Sequence, residues 1–157
     1  MMTPLCCDVL NLLRSKGMTL VTAESLTGGG IGNALTAVSG ASEVYKGGVI
    51  SYVNEVKRDV LGVPQEILDR YGAVSPWTAG YMASGVRNLL KADVAVSVTG
   101  LAGPGGDEFG HPVGTVYIGF ECDRNSLVKQ YRFEGSREEV RTQTIQAALE
   151  LILENIE

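Results

Sequence analysis

Two glycine-rich turns, each leaving the end of a short β-type run, constrain this fold more than any other feature of the sequence. Thr19-Leu20-Val21-Thr22-Ala23 runs into Glu24-Ser25-Leu26-Thr27-Gly28-Gly29-Gly30, after which Ile31, Leu35 and Val38 recur at helical spacing. Residues 93–99 read as a buried strand that enters Gly100-Leu101-Ala102-Gly103-Pro104-Gly105-Gly106. In open α/β sheets such loops lie beyond the carboxyl ends of the strands, where backbone amides can approach a ligand and helix N-termini add positive potential.

The remaining pattern is compatible with that plan. Leu5, Val9, Leu10, Leu12 and Leu13 form one helical stripe over residues 5–15, and Gly17 follows where such a helix stops. A second strand is expected at about residues 48–52. Helices are expected from Asn54, over residues 65–71 and over residues 75–90, the last with Pro76 at a helix-start position. Residues 114–121 and 127–133 read as sequential strands joined around Asp123-Arg124-Asn125, hence antiparallel. Ser136 and Glu139 stand at capping-box spacing before a long final helix whose inner face is Ile145, Ala148, Leu149 and Ile152. The expectation is an α/β chain: a three-layer α/β/α sandwich with a mixed, mostly parallel sheet of about five strands. At 157 residues, 45% of them hydrophobic, the chain suits one domain over residues 1–157.

Charge and cysteine usage exclude several classes of function. The net charge is −5 and the Lys and Arg residues are scattered, so no nucleic-acid partner is expected. No apolar run approaches the roughly 18 residues of a membrane span, and Met1-Met2-Thr3-Pro4 is not the start of a secretory signal; no membrane partner and a cytoplasmic location are expected. Cys6, Cys7 and Cys122 are odd in number and lack zinc-ligand spacing, and His111 is the only histidine. Neither a disulfide framework nor a structural metal site is expected. The apolar helices make a homo-oligomer plausible.

Ser25 at the entrance of the first glycine turn is a candidate nucleophile, with Gly28 and Gly29 as possible amide donors to an oxyanion. Its base can be His111, Lys57, Glu24 or another carboxylate, and spacing does not choose among them. Lys57 shares its segment with Tyr52 and Asn54, polar groups able to orient a ligand, and desolvation can lower a lysine toward the range of general bases. Blander roles compete at each position. A serine before a glycine turn is commonly a cap, an early helical lysine is commonly solvated, Tyr52 can be sheet packing, and Glu24 can anchor a neighbouring helix or pair with Lys57.

Five ordered blocks carry a resemblance: Thr22-Ala23-Glu24-Ser25-Leu26-Thr27-Gly28-Gly29, Ser51-Tyr52-Val53-Asn54-Glu55-Val56-Lys57, Gly72-Ala73-Val74-Ser75, Gly100-Leu101-Ala102-Gly103-Pro104-Gly105-Gly106 and Pro112-Val113-Gly114-Thr115-Val116. Together they resemble the CinA C-terminal domain family, which includes a nicotinamide mononucleotide deamidase. The resemblance implies hydrolysis of nicotinamide mononucleotide, a pyridine mononucleotide, to nicotinic acid mononucleotide and ammonia by a serine-lysine acyl-enzyme mechanism without metal or cofactor. Carried over, the nucleophile falls on Ser25, the base on Lys57 and an assisting tyrosine on Tyr52. Thr27, Gly28 and Gly29 match the loop at the reacting carbonyl. Asn54, Thr99, Gly100, Gly103 and Gly105 match positions around the ligand, and Arg141 is the candidate phosphate contact. Ser136 departs from the family, where an acidic residue is common before Arg137. Many relatives carry a further N-terminal domain, whose activity is not expected of this chain. Two other readings remain: a nucleotide-binding regulatory or adaptor domain without turnover, and hydrolysis of a different amide or ester.

Overall fold

Side-chain alternation along the first strand, β1 (Leu20–Glu24), sets the plan of the molecule. In the computed structural model, which describes residues 2–156, Leu20 faces one hydrophobic core while Val21 and Ala23 face another. The order before and after β1 is α1 (Met2–Ser15), α2 (Gly30–Thr36), a 3-10 turn at Ala41–Glu43, β2 (Tyr45–Ile50), α3 (Asn54–Asp59), α4 (Gln65–Tyr71) and α5 (Pro76–Leu90). The chain continues through β3 (Val94–Gly100), β4 (Thr115–Glu121), β5 (Ser126–Arg132) and α6 (Arg137–Asn155).

The sheet order is β2-β1-β3-β4-β5. β1 is parallel to both β2 and β3, while β4 is antiparallel to β3 and β5 to β4. Only β4 therefore opposes the direction of the other four, as expected of a mixed, mostly parallel sheet. One face is covered by α1, α2 and α6 through Val9, Leu10, Leu13, Ile31, Leu35, Leu149 and Ile152, packed on Leu20, Val94, Val96 and Val98. The other carries α5 and the segment after α3: Met82, Val86, Leu61 and Val63 packed on Val21, Ala23 and Ala95. Each buried Val, Leu, Ile or Met side chain among them contributes roughly 1.5–3 kcal/mol relative to exposure. α5 can approach so closely because position 85 is glycine; a Cβ there would run into the Leu61 carbonyl.

Local signals mark the helix ends. Ser75 Oγ accepts from Thr78 N at 3.0 Å with Pro76 at the first helical position. Ser136 and Glu139 form the reciprocal capping box of α6, at 3.2 and 2.9 Å. The largest displacement from sequence expectation is β2, which lies at Tyr45–Ile50 rather than about 48–52. Its glycines pair rather than end it, since Gly48 lies against Thr22 of β1 so closely that a Cβ would collide. Residues 51–53 turn instead into α3. Among the described residues no helix is long and apolar enough to cross a membrane.

Candidate active site

The turn after β2 is what positions the reactive pair. β2 stops at Ile50, the chain reverses through residues 51–53, and α3 then carries Lys57 inward until it is 0% exposed. Its Nζ lies 3.0 Å from Ser25 Oγ, 2.6 Å from the Ser51 carbonyl and 3.3 Å from the Tyr52 carbonyl. Ser25 extends β1 by one residue, its N–H donating to the Val98 carbonyl at 3.1 Å. Alternation along β1 thus puts it on the α5 face, where Lys57 waits.

These three partners are not equivalent. As an ammonium, Lys57 donates to all three oxygens. As a neutral amine it has two N–H bonds and one lone pair, and the two carbonyls can only accept. The lone pair is then left for the Ser25 hydroxyl, the one partner with a proton to give. No carboxylate pairs with Lys57 among the described residues. Burial accordingly pulls its pKa from 10.5 down to about 8, so that about a tenth is the free amine at neutral pH.

Glu24, on the opposite side of β1, has a different role. Its carboxylate accepts from Thr27 Oγ1 at 2.6 Å, Ile31 N at 2.9 Å and Gly32 N at 3.0 Å. It holds the start of α2 rather than pairing with Lys57. Arg141 braces the same loop from α6, with Nε 2.8 Å from the Leu26 carbonyl and Nη2 3.2 Å from that of Thr27. The Gly28 N–H donates to the Ser25 carbonyl at 3.0 Å, and Gly29, at φ 96°, is the N-cap of α2. Thr27, Gly28, Gly29 and Arg141 thus form the support of the turn.

A cavity of about 490 Å3 opens over the pair. Of the positions anticipated from sequence, Ser25, Tyr52, Asn54, Lys57, Thr99, Gly100, Gly103 and Gly105 line it; Thr27, Gly28, Gly29 and Arg141 do not. Arg137, at the start of α6, is the arginine in its wall. Its Nη1 donates to the Gly103 carbonyl at 2.7 Å and its Nη2 to the Tyr52 hydroxyl at 3.2 Å. Arg141, the arginine expected from sequence, lies one turn later and outside the cavity lining. The signal that could have found Arg137 is its place beside the Ser136 cap, at a helix N-terminus near the strand ends. Thr99 Oγ1 also donates to the Ala73 carbonyl at 2.7 Å, which ties β3 to the Gly72-Ala73-Val74 wall. His111 does not reach Ser25 as a hydrogen-bond partner; its Nδ1 lies 2.6 Å from Asp107 Oδ2. Among the described residues no group of three or more His, Cys, Asp or Glu side chains is placed to hold a metal.

Comparison with known proteins agrees across the chain. A model of the CinA C-terminal domain matches residues 3–156. A competence-damage inducible protein of Caldanaerobacter subterraneus subsp. tengcongensis is 45% identical over 149 residues, covering 95% of this chain and 36% of that protein. One from Bacillus cereus strain AH187 is 50% identical over 133 residues, 84% of this chain and 32% of that protein. The chain therefore spans about a third of the length of these curated relatives. Among solved structures, a CinA superfamily protein from Klebsiella pneumoniae superposes with a TM-score of 0.97 at 35% identity, covering 99% of this chain and 98% of the other. A competence/damage inducible protein from Agrobacterium tumefaciens gives 0.94 at 39% identity, covering 98% and 94%.

Proposed function

Because the chain belongs to the CinA C-terminal domain family, we propose that it is an amidohydrolase that converts nicotinamide mononucleotide to nicotinic acid mononucleotide and ammonia. The relatives' names state no reaction, and the reading rests on the site. The observation that carries it is the buried Lys57 amine, 3.0 Å from Ser25 Oγ, with carbonyls as its other partners and burial drawing its pKa to about 8.

Neutral Lys57 takes the Ser25 proton as Oγ attacks the carboxamide carbon, and a tetrahedral oxyanion forms. N–H donors are needed there. Gly28 is engaged within its own turn, so the N–H groups of Leu26, Gly103 and Gly105, residues that line the cavity, are the better sources. Collapse breaks the carbon–nitrogen bond, and the proton held by Lys57 leaves with ammonia. Water then attacks the acyl-serine; Lys57 accepts a proton from it and returns one to Ser25 Oγ. Tyr52 contributes its carbonyl to Lys57 and its hydroxyl to the cavity wall beside Arg137. The phosphate contact assigned from sequence to Arg141 passes in this reading to Arg137, because Arg137 lines the cavity and Arg141 does not.

Purified protein incubated with nicotinamide mononucleotide and no added metal is expected to release ammonia and nicotinic acid mononucleotide. Folded Ser25→Ala and Lys57→Ala variants are expected to lose about a thousandfold or more in kcat. Full activity in both variants rejects the mechanism. Tight binding with no product after prolonged incubation of the unmodified protein assigns the fold to binding instead.

A further inference from the structure

The loop after β3 places an aromatic side chain where the site has no evident need of one for stability. Residues 103–114 are rich in glycine and acidic residues, yet Phe109 stands among them, 40% exposed and lining the cavity that holds Ser25 and Lys57. Its ring sits against the backbone of Gly72, which ends α4 at φ 81°. A Cβ on Gly72 would lie 2.6 Å from Phe109 Cε2 and 2.7 Å from Cδ2, so any larger residue there displaces the ring. Positions 72 and 109, far apart in sequence, thus make one wall.

The loop is also tied where the ring leaves it. Asp107 Oδ1 accepts from the backbone N–H of Phe109 at 3.2 Å and of His111 at 3.0 Å, and Oδ2 bonds the His111 imidazole at 2.6 Å. The His111 ring meets Tyr117 edge-on, with centroids 6.5 Å apart. Phe109 is therefore a held surface within the cavity wall, not a side chain seeking cover. Val74, Leu101 and Ala102 add apolar surface to the same cavity, Arg137 adds a cation, and Asp107 and Glu108 add carboxylates, the first of them held by the His111 ring. An aromatic wall and an arginine lining one cavity suit a ligand that joins a flat ring to an anionic group.

Resting on the reading that this cavity takes a pyridine mononucleotide, we propose that Phe109 is a specificity-determining residue whose ring packs on the aromatic carboxamide ring of the substrate, with Asp107 and His111 as its positioning residues. Aromatic pairs add a specific attraction beyond buried area, so the site selects planar aromatic amides over aliphatic ones.

Calorimetry on the Ser25→Ala protein tests this without turnover, using nicotinamide mononucleotide and ribose 5-phosphate, which lacks the ring. Phe109→Ala is expected to weaken mononucleotide binding about tenfold while ribose 5-phosphate stays within about twofold, and Phe109→Tyr is expected to restore most of the loss. In the catalytically intact protein the Phe109→Ala defect is expected mainly in KM rather than kcat. Equal weakening of both ligands, no weakening of either, or no measurable mononucleotide binding overturns the proposal. Absence of ammonia release by the unmodified protein, with the ring-dependent binding preserved, instead removes the hydrolytic reading and leaves Phe109 as a ring contact.

Discussion

Glu24 and Lys57 are both almost wholly buried, 2% and 0% exposed, on opposite sides of one strand end, and they illustrate two uses of a buried ionisable group. Glu24 accepts from a hydroxyl and two peptide N–H groups at the start of α2. A carboxyl group with that set of donors is a structural tie between β1 and α2. Lys57 meets two carbonyls and a hydroxyl but no counter-charge, and burial moves its protonation equilibrium instead. The lesson is that burial alone does not mark a functional group. What marks it is burial without a counter-charge, beside a partner whose proton the group can take.

Four measurements can break or sharpen that contrast. Replacing Glu24 by Ala leaves the Thr27 hydroxyl and the Ile31 and Gly32 N–H groups without their acceptor and removes a longer contact from the Thr22 hydroxyl, and urea unfolding is expected to show a loss of about 4 kcal/mol; a loss under about 1 kcal/mol contradicts the structural role. The pH dependence of stability comes next. Between pH about 8 and 10.5 the unfolded chain holds a proton on Lys57 that the folded chain has released. Stability is therefore expected to rise with pH across that window, by about 3 kcal/mol, and to carry the full burial cost below it. The rise is read as the difference between unmodified protein and Lys57→Met over a pH series. The third measurement is Lys57→Met itself at pH 7. It removes the burden of a buried charge but leaves the Ser51 and Tyr52 carbonyls without their donor, so a net gain of about 1–2 kcal/mol is expected, alongside loss of activity. Denaturation showing a loss instead makes Lys57 a structural group like Glu24. The smallest effect belongs to Ser51→Ala. Ser51 Oγ is buried with no hydrogen-bond partner among the described residues, and Lys57 uses only its carbonyl, so stability is expected to change by less than about 1 kcal/mol.

Much of this was legible in the sequence because the signals were local. The Ser136–Glu139 box, the Ser75-Pro76 start and the two strand-to-glycine turns act over a few residues, and the structure places each element close to its expected position. β2 begins three residues before its expected start, since in sequence Val49, Ile50 and Tyr52 look like strand while Gly47 and Gly48 look like its end. Only the approach of Thr22 explains why glycines belong inside it. At the site, Ser25 and Lys57 come together as their motifs implied, but periodicity could not show that α3 turns Lys57 inward. The distinction between Arg137 and Arg141 was equally hidden. Both occupy one helix face a turn apart, and which one reaches the cavity depends on the loop that packs against α6. Phe109 carried a readable signal, an aromatic in a polar glycine loop, whose meaning needed the neighbouring Gly72.

The most direct test is titration of the Lys57 side chain by NMR, following its Nζ and Cε resonances in the folded protein and assigning them through Lys57→Met. A midpoint near pH 8, shifted upward or lost when Ser25 and its cavity are disrupted by unfolding, is the predicted result. A midpoint at the ordinary lysine value of about 10.4 contradicts the account, because no adequate supply of free amine then exists to take the Ser25 proton at neutral pH.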